Sequence, residues 1–181
     1  MNQPYIFKSN RLGFRSWSIT DLPAFAQLNA DEAVMEHFPN VLSLVETENF
    51  ITRLIAHHKE NGHCYFATEV LKTGEFIGFI GLAFQKYKTN FSPGVDIGWR
   101  LKKAAWGKGY ATEGAKRCLV YGFNNLKLER IFATCTINNN KSANVMQKIG
   151  MKRMGEFKHP NLKEFPEYER CLWYEVKNNL I

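Results

Sequence analysis

A chain of 181 residues, 45% hydrophobic and 14% aromatic, can bury one sizeable core without disulfides or a structural metal, and it is too rich in large apolar groups to stay disordered. Its longest uninterrupted apolar stretch, residues 76–84, is far short of the roughly 20 residues that cross a bilayer, which excludes a helical membrane span. The formal charge of +7 favours an anionic partner, but the cations are spread along the chain as on a solvated surface, so nucleic acid would enter only indirectly.

The opening Met1-Asn2-Gln3-Pro4-Tyr5 lacks the charged and then apolar pattern of a secretion signal, so a cytoplasmic protein with no membrane partner is expected. No linker, low-complexity tract or repeat interrupts the sequence, and residues 1–181 read as a single domain. Leu12 and Phe14, with Ile6 before them, alternate with polar residues as a first strand. Thr20-Asp21 opens a helix carrying Leu22, Phe25 and Leu28, and Asp31 starts a further short turn. Ser43 with Glu46 three residues on forms a capping box, after which Phe50, Leu54 and Ile55 keep helical spacing until Asn61-Gly62.

Residues 65–71 and 75–86 flank Lys72-Thr73-Gly74, a loop suited to an antiparallel hairpin. Phe91-Ser92-Pro93-Gly94 breaks the chain before a strand over 95–101. A Gly-rich turn, a helix over 111–123 and a strand over 130–137 then complete a βαβ unit. A short helix over 141–149 ends at Gly150, and residues 151–157 and 168–176 read as closing strands around a loop with Pro160 and Pro166. The class is α+β, a mostly antiparallel sheet with its parallel pairing confined to the middle.

The turn Gly107-Lys108-Gly109, between a strand and a helix, presents backbone N–H groups and the positive end of the helix dipole, a site for phosphate. A nucleoside-triphosphate loop is excluded, because Lys108 is followed by Gly109 and not by Ser or Thr. A dinucleotide fold, and with it a nucleotide-dependent oxidoreductase, would need a small residue at Thr112 and an acid ending the next strand. Glu129 has about the right separation but stands at that strand's beginning. Cys64, Cys118, Cys135 and Cys171 lie too far apart for a zinc or redox motif and read as reduced, buried thiols. His57, His58 and His63 lack the spacing of paired ligands on a helix, so no metal is expected.

Asp96-Ile97-Gly98-Trp99-Arg100-Leu101, followed by Trp106-Gly107-Lys108-Gly109-Tyr110-Ala111-Thr112-Glu113, resembles the strand, pyrophosphate loop and helix start of the GNAT acetyltransferases. The Trp at 106 is similar to the branch containing ribosomal-protein N-terminal acetyltransferases. The segment from Asn139 to Met151 resembles the family's second signature, and Asn10 to Arg15 and Gly78 to Leu82 also fit. The resemblance implies a twisted mixed sheet, splayed between its central parallel strands, with helices on both faces. It implies acetyl-CoA as acyl donor, its pyrophosphate on the amides of Trp106, Gly107, Lys108, Gly109, Tyr110, Ala111 and Thr112. Asn139, Ser142 and Lys148 would border the pantetheine arm, and the backbone at Trp99, Arg100 and Leu101 would face the acetyl carbonyl.

Acetyl transfer needs a neutral amine, a route for its proton and protonation of the leaving thiolate, none of which calls for a metal. Asp96 shares a strand face with Gly98 and Arg100 and is the candidate base; the alternative is a surface carboxylate paired with a cation. Glu113, in the first helical turn, reads as structural. A Tyr that reprotonates the thiolate in many family members aligns with Met146, which leaves Ser142 as candidate donor or as a helix-capping residue. The acceptor is expected to be a primary amine, a protein N-terminus or a small molecule, in a pocket shaped by residues 38–43, 86–94 and 158–167. Transfer is expected to be direct, in a ternary complex, by a monomer or homodimer.

Overall fold

The computed structural model describes residues 5–178, so the leaderless reading of Met1 to Pro4 lies outside the described residues. Among the described residues eight strands form one sheet in the order β1-β2-β3-β4-β5-β6-β8-β7. They are β1 (Phe7–Lys8), β2 (Leu12–Arg15), β3 (Tyr65–Val70), β4 (Glu75–Gln85), β5 (Gly94–Leu101), β6 (Arg130–Thr136), β7 (Lys152–Lys158) and β8 (Arg170–Lys177). Every pairing is antiparallel except β5 with β6. The last strand inserts between β6 and β7, a reversal that chain order does not announce.

Six α-helices among the described residues flank the sheet: α1 (Leu22–Asn29), α2 (Glu32–Met35), α3 (Leu44–Asn61), α4 (Tyr110–Asn124), α5 (Asn140–Lys148) and α6 (Pro166–Glu169). Alternation along β4 shows how both sheet faces are covered. Phe79 packs against Phe25 of α1 and Phe50 of α3, while its neighbour Ile80 meets α4 at Gly114, where a Cβ would collide with the Ile80 side chain. The Ser43 and Glu46 capping box starts α3, and Gly62, at φ 73°, closes it in the left-handed conformation that glycine adopts without steric cost.

Some side chains turn differently from the sequence pattern. Phe7 enters the core and Ile6 stays exposed, because β1 is a short edge strand that starts one residue later than the Ile6 alternation suggests. On α3, Ile51 and Leu54 are buried whereas Ile55 is exposed. Tyr168 belongs to α6, which Pro166 starts, and strand pairing in β8 begins at Arg170.

β5 and β6 touch in register at Asp96 and Phe132 and diverge beyond that point. On its other side β5 pairs with β4 over its whole length, from Gly94 opposite Gln85 to Leu101 opposite Gly78. One edge of β5 is therefore satisfied and the other opens into a cleft.

Candidate active site

The cleft has a volume of about 760 Å³ and runs from the N-terminus of α4, along the open edge of β5, to the aromatic side chains beneath α2 and α3. At its first end, Gly107 and Gly109 sit at φ 73° and 77°. A Cβ at Gly107 would meet nothing within the chain, and one at Gly109 would approach Arg11 Nη2 at 3.5 Å. The glycines thus serve backbone conformation and leave the loop's outer side open to a ligand.

No side chain caps α4, and its first helical bond runs from the Glu113 amide to the Gly109 carbonyl. The Trp106 amide, expected in the same cradle as the loop amides after it, donates instead to the Lys103 carbonyl (3.0 Å). Among the described residues no acceptor is found for the amides of Gly107 to Thr112. These donors lie at the positive end of a 15-residue helix, with Arg11 stacked on Tyr110 and Lys141 over Trp106. Such a cradle fits a pyrophosphate. Glu113 works from behind: it accepts from Ser9 Oγ (2.7 Å) and from the Arg11 amide and Nε (2.8 and 2.6 Å), while Arg11 Nη1 donates to the Lys108 carbonyl (3.0 Å). The turn between β1 and β2 is thereby tied to the loop.

Ladder geometry identifies the free groups of β5. The Lys102 amide donates to the Ile77 carbonyl, so even-numbered residues of β5 bond to β4 and odd-numbered ones face the cleft. Trp99 and Leu101 therefore turn their amides to the open edge. The Arg100 amide is directed at Phe79, which corrects its expected place beside the acetyl carbonyl. The Leu101 carbonyl accepts from Trp106 Nε1 (2.8 Å), locking the loop to the strand end.

Asp96 is 8% exposed and lies in the cavity wall, so it is not a surface carboxylate paired with a cation. Tyr65 Oη donates to its Oδ1 and Oδ2 at 2.6 and 2.8 Å, and Gln85 Nε2 to Oδ1 at 3.3 Å. Burial raises its carboxyl from 3.8 to about 7, and these hydrogen bonds only partly offset the rise. Gly98 makes the arrangement possible: a Cβ there would sit 3.0 Å from Tyr65 Cε1, in the space the ring uses to reach Asp96. Sequence spacing hid Tyr65 and Gln85, which arrive from β3 and β4. The signal for such partners was an acid between Val95 and Ile97 in a central strand, which must find donors when buried.

The Arg100 side chain turns from β5 toward α1 and α3. Its Nη1 donates to Asn29 Oδ1 (2.7 Å), and its guanidinium carbon lies 4.2 Å from the Phe38 ring centre. At the opposite wall, Asn139 caps α5 by accepting from the Ser142 amide (2.9 Å), so Ser142 is not itself the cap. Ser142 is half-buried in the cavity wall beside the buried Met146. Trp106, Gly107, Gly109, Tyr110, Ala111, Thr112 and Lys148 also line the cleft, whereas the exposed Lys108 is not part of its lining.

Phe38 and Pro39 reach the cavity from the α2–α3 connection, and His159 and Leu162 from the segment after β7. Residues 86–94 stand behind this wall instead of in it, with Tyr87 packed on His159. The histidines singled out for metal are engaged in the fold: His57 Nε2 accepts from the Phe84 amide, His58 faces Ser16 Oγ, and His63 bonds the Leu82 carbonyl. Among the described residues no His, Cys, Asp and Glu group is arranged to hold a metal.

Residues 11–152 match the acetyltransferase (GNAT) domain family. An uncharacterized N-acetyltransferase of Bacillus subtilis (strain 168), YnaD, is 32% identical over 151 residues, covering 83% of this chain and 84% of that one. A solved GNAT-family acetyltransferase from Bacillus anthracis is 31% identical, with a TM-score of 0.76 and 94% and 96% of the two chains covered. The ribosomal L7/L12 alpha-N-protein acetyltransferase RimL, solved with coenzyme A, shares the fold at a TM-score of 0.78 and 18% identity, covering 98% of this chain and 100% of that one. With the family's domain spanning most of its length, this chain belongs to the GNAT acetyltransferases and takes its acyl group from acetyl-CoA.

Proposed function

We propose that the protein acetylates a primary amine by direct attack within the cleft, with Asp96 as general base, and that the described sheet and helices work as a single catalytic domain. The observation that carries this reading is the convergence on one cavity of the uncapped α4 N-terminus, the open edge of β5 and a buried carboxylate with a raised pKa. Amides of residues 107–112 hold the pyrophosphate. The Trp99 and Leu101 amides receive the acetyl carbonyl and stabilise the charge that grows on its oxygen as the amine adds. Asn139 shapes the wall beside the pantetheine arm, and Lys148 adds positive charge there.

Asp96 takes the ammonium proton and leaves a neutral amine to attack; its raised pKa lets it both receive and release a proton near neutrality. Tyr65 and Gln85 aim the carboxylate. Collapse of the tetrahedral intermediate expels the thiolate. Since Met146 has no proton to give, the Ser142 hydroxyl donates its proton to the thiolate and is restored by the surplus proton still on the attacking nitrogen. Chemistry thus runs from β5 on one side to α5 on the other. A free-thiol assay over a panel of amines tests the proposal. Asp96→Asn is expected to lower kcat about 100-fold while acetyl-CoA affinity holds. Equal turnover by wild type and Asp96→Asn with the same amine would remove Asp96 from the mechanism.

A further inference from the structure

Among the described residues two arginines are buried, Arg15 and Arg100, at 8% and 9% exposure, and the fold treats them in opposite ways. Arg15 is neutralised by two carboxylates: it donates to both oxygens of Asp21 (2.8 and 2.7 Å) and to Glu69 Oε1 (2.7 Å). Arg100 has no carboxylate within ion-pair reach among the described residues; its one hydrogen bond, from Nη1, goes to the neutral Asn29 amide. Arg100 Nε is buried with no partner at all. Isolated buried charge is costly, and a guanidinium presents a fork of donors matched to a planar carboxylate.

The surroundings hold that fork in place. Phe38, Phe50 and Phe79 stand 4.2, 5.7 and 5.6 Å from the guanidinium carbon. Asn29, fully buried, is itself oriented by donating to Thr47 Oγ1 (3.2 Å). Burial lowers the Arg100 pKa only to about 10, so the charge persists at neutral pH. The residue faces the cleft on the same side of β5 as Asp96, four residues or about 13 Å along the strand. Glu36, which also lines that wall, lies 3.8 Å from Lys141 and 3.9 Å from His37, not against Arg100.

We infer that Arg100 is a specificity determinant and that the acceptor is a small amine carrying a carboxylate, bound so that its anionic end completes Arg100 while its amine lies toward Asp96. The inference rests on the acetyl-transfer reading above and deepens it. A polycationic acceptor would set its charge against Arg100, whereas a carboxylate supplies the absent counter-charge.

The test uses ω-amino carboxylates of increasing chain length, each paired with its carboxamide, in the free-thiol assay. In wild type, kcat/KM is expected to favour the best carboxylate over its amide by at least about 100-fold. In Arg100→Met that ratio is expected to fall to near one, through KM, because the contact is present in ground and transition states alike. Arg100→Gln, which keeps a donor for Asn29, should lose the same discrimination and guards against a packing artefact. Thermal shifts provide a readout without turnover: the preferred carboxylate should stabilise wild type and not Arg100→Met. Amides acetylated as well as carboxylates, or loss of acetyl-CoA affinity in Arg100→Met, would overturn the inference while leaving acetyl transfer standing. Failure to acetylate any amine, charged or neutral, would overturn both.

Discussion

At the scale of one residue, the proposed base Asp96 also bears on stability. Its carboxyl titrates near 7 in the fold against 3.8 in the open chain, so between about pH 4 and pH 7 the folded state holds a proton that the unfolded state has lost. Stability therefore falls as pH rises through this window, and the penalty is complete above it. Asp96→Asn removes the penalty and should raise the melting temperature by several degrees at pH 8 while changing it little at pH 4. Calorimetry at the two pH values checks this; an equal shift at both would mean that Asp96 carries no buried charge. Across the cleft, Ser142→Ala should lower kcat about tenfold to a hundredfold with little change in acetyl-CoA binding, because a thiolate is a good leaving group even without a donor. Unchanged kcat with a poor acceptor, where chemistry limits the rate, would leave Ser142 with a structural role alone.

At the scale of elements, the 106–112 loop can be tested against its own strain. Gly109→Val places a branched side chain at φ 77°, which costs about 1–2 kcal/mol, and also fills the space above the free amides. Gly62→Val imposes like strain at φ 73° with open space around it, far from the cleft. Both should melt a few degrees lower, but only Gly109→Val should lose acetyl-CoA affinity, by about 30-fold or more in calorimetry. Equal affinities in the two variants would move the phosphate elsewhere. This loop was legible in the sequence because its chemistry is local: two glycines, a helix start and no competing motif. The Ser43 cap, the Gly62 stop and the hairpin at Gly74 were legible for the same reason. The clamp of Tyr65 and Gln85 on Asp96, the turning of Arg100 toward Asn29, and the insertion of β8 were not, since each depends on which strands become neighbours.

On the scale of the whole molecule, the direct transfer proposed above needs donor and acceptor in the cleft together, with no group of the protein carrying the acetyl between them. Cys135 and Cys171 line the cavity, but burial pushes their thiols up to about 11 and 12, so both are protonated and weakly nucleophilic at neutral pH. Initial rates should give intersecting patterns, unchanged in type by Cys135→Ala with Cys171→Ala; a stable acetylated protein isolated before acceptor is added would contradict direct transfer. The most direct measurement concerns where the donor lies. Amide hydrogen exchange followed by NMR, with and without acetyl-CoA, should show new protection concentrated at Trp99, Leu101 and residues 107–112, with Arg100 little changed because its amide already faces β4. Protection of the loop and strand amides would place acetyl-CoA along the open edge of β5, and protection confined to other elements with those amides exchanging as before would contradict the account.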